Sequence, residues 1–423
     1  MSVLKSFRGL RPKPELIQKV ASLPYDVLNS EEARKLAAGN PCSLLHVSKP
    51  EIDLDPSINL YDDRVYQKAR ENFRRFISEG ILVQDPEAYL YIYQQQMGEH
   101  VQTGILGCAS VDDYLNNVIK KHELTRKDKE DDRTRHTREL NANSGPVFLT
   151  YRAHDKIDRL IDDFIKQNKP ENNFTAGDGI RHTLWVIRDQ KLIKKISSIF
   201  ENEIPRLYVA DGHHRSASAA RVGAEQRKEH SGYSGKEEFN FFLAVYFPHN
   251  QLRILDYNRV VKDLNGVTEE QFFKSVADKF KLDLVNDYSR GGTRKPFKPG
   301  KSHEFGMYLK DRWFKLTAKE GTYQKDDPVL ALDVSILQLN LLEPVLGIQD
   351  PRVDKRIDFV GGIRGLQELE KLVDSGKFMI AFAMHPTTLD ELMRIADNGK
   401  LMPPKSTWFE PKLRSGVVIH LLD

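Results

Sequence analysis

Cysteine is scarce: Cys42 and Cys108 are the only two in 423 residues. One follows Pro41 and the other lies in the small-residue stretch Gly104-Ile105-Leu106-Gly107-Cys108-Ala109. A disulfide framework is therefore not expected, and a reducing, cytoplasmic setting fits. Long apolar runs are missing as well. No uninterrupted run reaches the roughly 18 residues of a membrane span, and the opening meets Arg8 and Arg11 before any signal-like apolar core. Neither a secretory signal nor a membrane partner is expected. Nor does one sign of charge dominate, since 64 Lys+Arg face 61 Asp+Glu, which supplies no general field for nucleic acid. Gly-x-x-x-x-Gly-Lys-Ser/Thr, Gly-x-Gly-x-x-Gly and His-Glu-x-x-His are all absent, so P-loop, dinucleotide and zinc-peptidase sites lack motif support.

What the chain does carry is the composition of a folded protein, with 39% hydrophobic and 30% charged residues. Its length allows two or three compact units. Asn29 or Ser30 can cap a helix starting at Glu31-Glu32, where acids in the first turn suit the helix dipole. A second helix is expected over residues 61–79, with Val65, Ala69, Phe73, Phe76 and Ile77 on one face and Gly80 ending it. Residues 88–93 and 104–111 read as a hairpin around Gly98, and residues 184–187, 207–210, 241–247 and 305–308 as further strands. Later come a helix over 334–342, strands near 378–383 and 417–422, and a helix over 389–396 capped by Thr387 with Asp390 three residues on. Pro24-Tyr25-Asp26-Val27 reads as a loop or strand edge, and Gly291-Gly292-Thr293-Arg294-Lys295-Pro296 as a loop between units. The class is α/β or α+β with mixed sheets. A core over residues 1–290 is expected to precede a C-terminal α/β portion over 291–423, packed with it or apart.

Chemistry concentrates in two places. The first is Leu207-Tyr208-Val209-Ala210-Asp211-Gly212-His213-His214-Arg215-Ser216, where an apolar strand ends in Asp-Gly and an Ala-rich helix begins. Free N–H groups at such a helix start, with Gly212 permitting close approach and Arg215 offering a fork of donors, make a phosphate cradle reasonable. His213 and His214 can donate or carry a proton, Ser216 can add a hydroxyl contact, and Asp211 can hold a metal or orient a hydroxyl. The plainer reading is a capped helix with one buried histidine and an ordinary ion pair. Zinc on His213 and His214 is weaker, because adjacent residues rarely aim at one ion.

The second place is the charged stretch from Lys121-His122-Glu123 to Arg135-His136. Glu123, or else Glu130, can accept a hydroxyl proton, while Arg126, Lys127, Arg133 and Arg135 can neutralise phosphoryl oxygens. A solvated helix explains the same composition. Asp26, His385 and Lys405 are lesser candidates.

Taken in order, several motifs resemble the bacterial and archaeal family called domain of unknown function 1015. They are Phe7-Arg8-Gly9-Leu10-Arg11-Pro12, Pro24-Tyr25-Asp26-Val27, Leu90-Tyr91-Ile92-Tyr93, His122-Glu123-Leu124-Thr125, Glu130-Asp131-Asp132-Arg133, Asp211-Gly212-His213-His214-Arg215 and Met402-Pro403-Pro404-Lys405-Ser406-Thr407. The Asp-Gly-His-His-Arg turn also resembles that of the free-serine kinases, which share the ParB and sulfiredoxin type of fold. That resemblance implies a ParB/sulfiredoxin-like core elaborated by further α/β segments. It also implies ATP or ADP bound with Mg²⁺ and phosphoryl transfer to a small hydroxylated metabolite such as L-serine. A nucleotide-responsive regulatory protein without catalysis is the alternative.

Overall fold

The computed structural model describes residues 2–291 and 294–423; Met1, Gly292 and Thr293, and with the last two the middle of the expected inter-unit loop, lie outside the described residues. The chain divides into Met1–Leu252 with Pro411–Asp423, and Arg253–Glu410. A single boundary near 290 is therefore replaced by two crossings. The reason is strand pairing: Phe280–Asp287 already joins Arg312–Ala318 in the second unit, and His420–Leu421 returns to pair with Ala142–Asn143 in the first.

The first unit is built on eight strands: β1 Leu90–Met97, β2 His100–Ser110, β3 Ile119–Lys120, β4 Val147–Tyr151, β5 Asn172–Thr175, β6 Arg181–Ile187, β7 Leu207–Asp211 and β8 Phe241–Pro248. Their order in the sheet is β3-β7-β4-β8-β2-β1-β6-β5. β7 runs parallel to β3, and β8 parallel to β4, while the remaining neighbours are antiparallel. Ile92, Ile105, Leu149, Val209, Phe200 and Tyr246 lie in its buried core. The expected hairpin is present, with Met97 opposite His100 and Gly98 at φ +60°.

Six helices of this unit matter: α1 Ser30–Ala37, α2 Asp63–Ser78, α3 Lys127–Leu140, α4 Asp155–Gln167, α5 Gln190–Glu203 and α6 His213–Glu229. Asn29 caps α1 and exchanges a capping box with Glu32, as its sequence position implies. In α2, Val65, Ala69, Phe73 and Phe76 are buried, but Ile77 is exposed, because it lies one step off the 3.6-residue stripe. Tyr25–Val27 forms a 3-10 turn instead of a strand edge.

The charged helix α3 is only half solvated. Asp132, Thr134, His136 and Leu140 are buried; Tyr66 donates to Asp132 at 2.7 Å and the His136 ring pairs with the Val47 carbonyl at 2.8 Å. Its other side follows α6 through Arg221–Asp131 and Arg138–Glu225 ion pairs.

The second unit is an antiparallel six-stranded sheet around Val260, Tyr308, Trp313 and Ala381. Its helix Leu389–Asp397 is capped by Thr388 with Glu391, one residue later than the Thr387 cap expected. Residues 334–342 divide into Asp333–Leu337 and a wider π turn, Gln338–Leu342. Both units thus combine sheets with helices, in keeping with the mixed α/β class. Cys42 and Cys108 are both free, and among the described residues no helix is long and apolar enough to cross a membrane.

Candidate functional site

β7 ends at Asp211, and Gly212 turns the chain into α6. Gly212 has φ +92°, a left-handed conformation that side chains resist, and a β-carbon there would stand 3.1 Å from Arg215 Cζ. The β7–β4 register shifts between Val209 and Asp211, and such bulges re-aim the side chains beside them. No side chain caps α6, so its first N–H groups face the approach to the turn.

Parallel pairing decides what else reaches this turn. Leu207 lies beside Ile119 and Tyr208 beside Lys120, so β3 and β7 leave the sheet at the same edge. Residues after Lys120 therefore meet residues after Asp211. The rings of His122 and His213 stand edge to face with centroids 4.5 Å apart and planes at 88°. Glu123 Oε2 is 3.8 Å from His213 Nδ1, and the Arg126 backbone N–H donates to His214 Nε2 at 3.0 Å.

Beneath the turn lies an ionic knot. Arg215 Nη2 is 3.0 Å from Asp211 Oδ2 and 3.7 Å from Asp26 Oδ2, and Nη1 donates to the Pro146 carbonyl. Lys412 Nζ approaches Asp211 Oδ1 at 3.8 Å, with Gln95 donating to the Lys412 carbonyl at 2.9 Å. Desolvation opposes ionisation of Asp211, but Lys412, Arg215 and His213 outweigh it and hold the carboxyl below the usual range. Burial likewise works against charge on Arg215, yet Asp26 and Asp211 raise its pKa. His213 moves the other way: burial lowers its pKa to about 4, so the ring is neutral near pH 7. Burial also lowers His214 and, together with the neighbouring His213, His122.

Alongside α6 is a cavity of about 40 Å³, lined among others by Tyr25, Ser48, Arg133, His136, Arg215 and Ser218 and by no carboxylate. That is room for about three waters. Arg215 Nε and Ser48 Oγ are buried without a hydrogen-bond partner. The Arg133 guanidinium stacks over Tyr25 at 4.1 Å and is tied to Asp132 at 2.7 Å. Both guanidinium groups are already held by carboxylates, so the donors left without a partner here are Arg215 Nε and Ser48 Oγ.

The structure brings Glu123, Asp211, Gly212, His213, His214 and Arg215 to this junction, with the Arg126 backbone and Glu130 beside His214 and Arg133 across the small cavity from Arg215; the remaining side chains turn elsewhere. The Arg126 side chain is exposed and turns to Asp128 at 2.8 Å, and Arg135 turns to Asp63 at 2.7 Å. Lys127 is exposed at the start of α3. Helical geometry explains this, because consecutive residues point around α3 and only one face meets the junction. Ser216 Oγ is fully buried and donates to the His213 carbonyl at 3.0 Å, which turns it away from a ligand. Glu130 accepts from Thr125 at 2.7 Å. The two oxygens of Asp211, the residue expected to hold a metal, face Arg215 at 3.0 Å and Lys412 at 3.8 Å. His385 and Lys405 belong to the second unit. Lys412 escaped the sequence reading because no local pattern ties it to a turn so far upstream; Asp26 carried only the signal of a carboxylate in a Pro-Tyr-Asp turn.

Comparison with curated proteins finds no match. Among solved structures, a free serine kinase in complex with AMP is similar with TM-score 0.34 and 11% identity, covering 72% of this chain and 86% of that one. A conserved hypothetical protein from Pyrococcus furiosus gives TM-score 0.35 and 12% identity, covering 75% and 95%. SbnI with a C-terminal truncation, from Staphylococcus aureus, gives TM-score 0.32 and 13% identity, covering 75% and 87%. The family model described as protein of unknown function (DUF1015) matches residues 4–335, through the β3 and β7 junction and into the second unit, and the chain belongs to that family.

Proposed function

We propose that this chain is a nucleotide-dependent small-molecule kinase that moves a phosphoryl group from ATP or ADP to the hydroxyl of a small metabolite, with free L-serine the first acceptor to try. The observation that carries the reading is the meeting of Glu123 with the Asp211-to-Arg215 turn, its Oε2 3.8 Å from His213 Nδ1. Phosphoryl transfer asks for two things: donors that hold phosphate oxygens and a group that orients the attacking hydroxyl. The start of α6, Arg215 and Arg133 supply the first. Glu123, half-exposed beside His213, supplies the second.

In the balanced step, the acceptor oxygen forms a bond to the terminal phosphorus while the bond to the bridging oxygen breaks. ATP leaves as ADP, or ADP as AMP, and the hydroxyl proton passes to Glu123. Neutral His213 donates a hydrogen bond without adding a buried charge, and Arg215 meets the developing negative charge. Mg²⁺, where used, arrives on nucleotide phosphate oxygens, because hard cations prefer oxygen ligands.

Calorimetry with ATP, ADP and AMP, paired with mass spectrometry of products from serine and a panel of hydroxylated metabolites, tests the reading. Nucleotide binding with a phosphorylated acceptor supports it. Binding with no product from any acceptor favours the regulatory alternative, and absence of binding rules out both.

A further inference from the structure

We propose that His122, Glu123 and His213 form a binding site for one divalent transition-metal ion of the zinc or cobalt type. One ligand atom from each residue lies within 4.8 Å of the others. Ligands about 2.0–2.2 Å from a tetrahedral ion stand about 3.3–3.6 Å apart. Side-chain rotations of about an ångström therefore close the set around an ion.

Two independent observations point to a ligand here. His122 Nδ1 is buried without a hydrogen-bond partner, in a residue only 2% exposed, while the His213 nitrogen that faces Glu123 is Nδ1. An imidazole nitrogen shut away from water without a partner costs free energy, and such groups are rare unless an ion or water completes them. The second observation is the donor set. Two imidazoles and one carboxylate suit zinc, cobalt, iron or nickel, whereas Mg²⁺ and Ca²⁺ take oxygen donors. The edge-to-face rings at 88° bring the two histidines in from different directions. Glu123 is 48% exposed, which leaves the solvent side for a fourth, exchangeable position, as in catalytic three-ligand sites.

The fold explains how ligands so far apart in sequence converge. His122 follows β3 and His213 follows β7, and these strands run side by side in the same direction. The adjacent pair His213 and His214 does not do the same: His214 Nε2 is occupied by the Arg126 N–H. Imidazole coordination also differs from the Mg²⁺ expected at Asp211, whose oxygens are held by Arg215 and Lys412. The inference goes beyond the transfer reading and competes with it for Glu123 and His213, since an ion bound there engages the carboxylate that would otherwise take the hydroxyl proton.

The test uses the full, tag-free chain stripped of metal with a chelator and titrated with Co²⁺, read by calorimetry and by visible d–d absorption. The expected result is saturable uptake of about one ion per chain with bands of a four- or five-coordinate imidazole site, displaced by Zn²⁺. His122→Asn and Glu123→Gln should each weaken uptake by at least about 10-fold, while His230→Asn, far from the cluster in sequence and exposed, should not. Glu123 is half-exposed, so its variant keeps the experiment decisive if His122→Asn fails to fold. No saturable uptake, or uptake that neither variant changes, overturns the proposal. Nucleotide turnover is measured on the stripped chain in parallel. Turnover without Co²⁺ uptake overturns the ion site and leaves the kinase reading intact; uptake without turnover of any acceptor does the reverse.

Discussion

The Arg126 backbone N–H donates to His214 Nε2 at 3.0 Å, joining the entry of α3 to the first turn of α6. The bond makes Nε2 an acceptor and so places the ring proton on Nδ1. It also gives His214 a structural duty: the residue expected to contact a cofactor clips together two helix starts. His214→Ala should cost about 1 kcal/mol, the worth of one such bond, and should loosen the 121–126 segment. Hydrogen exchange at Arg126 reads the loosening directly, and an unchanged exchange rate would refute it.

Arg215 is nearly buried and serves Asp211, Asp26 and the Pro146 carbonyl at once. Arg215→Ala leaves two carboxylates facing each other's field with Lys412 as the main compensation, so a loss of about 3–5 kcal/mol is expected. Lysine cannot reproduce the fork of donors, and Arg215→Lys should recover stability only in part while nucleotide affinity stays low. Chemical denaturation alongside calorimetry checks both halves.

Gly212 offers a sharper probe of the turn. At φ +92°, alanine meets about 1–2 kcal/mol of backbone strain, and its β-carbon would press on Arg215 Cζ at 3.1 Å. Gly212→Ala should therefore destabilise the fold and weaken nucleotide binding together. Full binding in a folded Gly212→Ala chain would show that the approach to this backbone is not used.

Acid should destabilise the first unit before ordinary carboxylates titrate. Burial, aided by Arg133, lowers His136 to about 4, and burial with Arg414 lowers His182 to about 3. Both lie below the unfolded value of 6.5, so the unfolded chain binds more protons throughout the interval between. Stability is full above about pH 6.5 and falls as pH drops toward 4 and then 3. His182 stacks between Phe174 and Tyr93 and pairs with the Tyr93 hydroxyl at 2.7 Å, so His182→Gln should flatten part of the slope. Thermal midpoints across pH 7 to 4 measure it; a flat profile in the unmodified chain would contradict these buried neutral histidines.

The junction was legible because its parts are local: an apolar strand, Asp-Gly at the turn and an Ala-rich helix occupy one continuous segment. The hairpin around Gly98 and the cap at Asn29 were legible for the same reason. What was not legible depends on pairing across the chain. Nothing near Ile119 indicates that it lies parallel to Leu207, yet that pairing alone brings His122 and Glu123 to His213. The charged helix hid its burial because Asp132 and His136 are satisfied by Tyr66 and Val47, residues far upstream. The late helix is capped by Thr388 with Glu391 and not by the expected Thr387 with Asp390, a one-residue shift that backbone geometry decides.

The most direct measurement compares the unmodified chain with Glu123→Gln, using calorimetry for nucleotide affinity and mass spectrometry for phosphorylated acceptor, with and without added Zn²⁺. Glutamine keeps the size of the side chain but cannot take the hydroxyl proton as a carboxylate does. Turnover should fall by about 10²-fold or more, the scale of general-base catalysis, while nucleotide affinity at the Arg215 end stays within about twofold. Normal turnover in Glu123→Gln would contradict the assignment of Glu123, and no phosphorylated product from the unmodified chain with any acceptor would contradict the kinase itself.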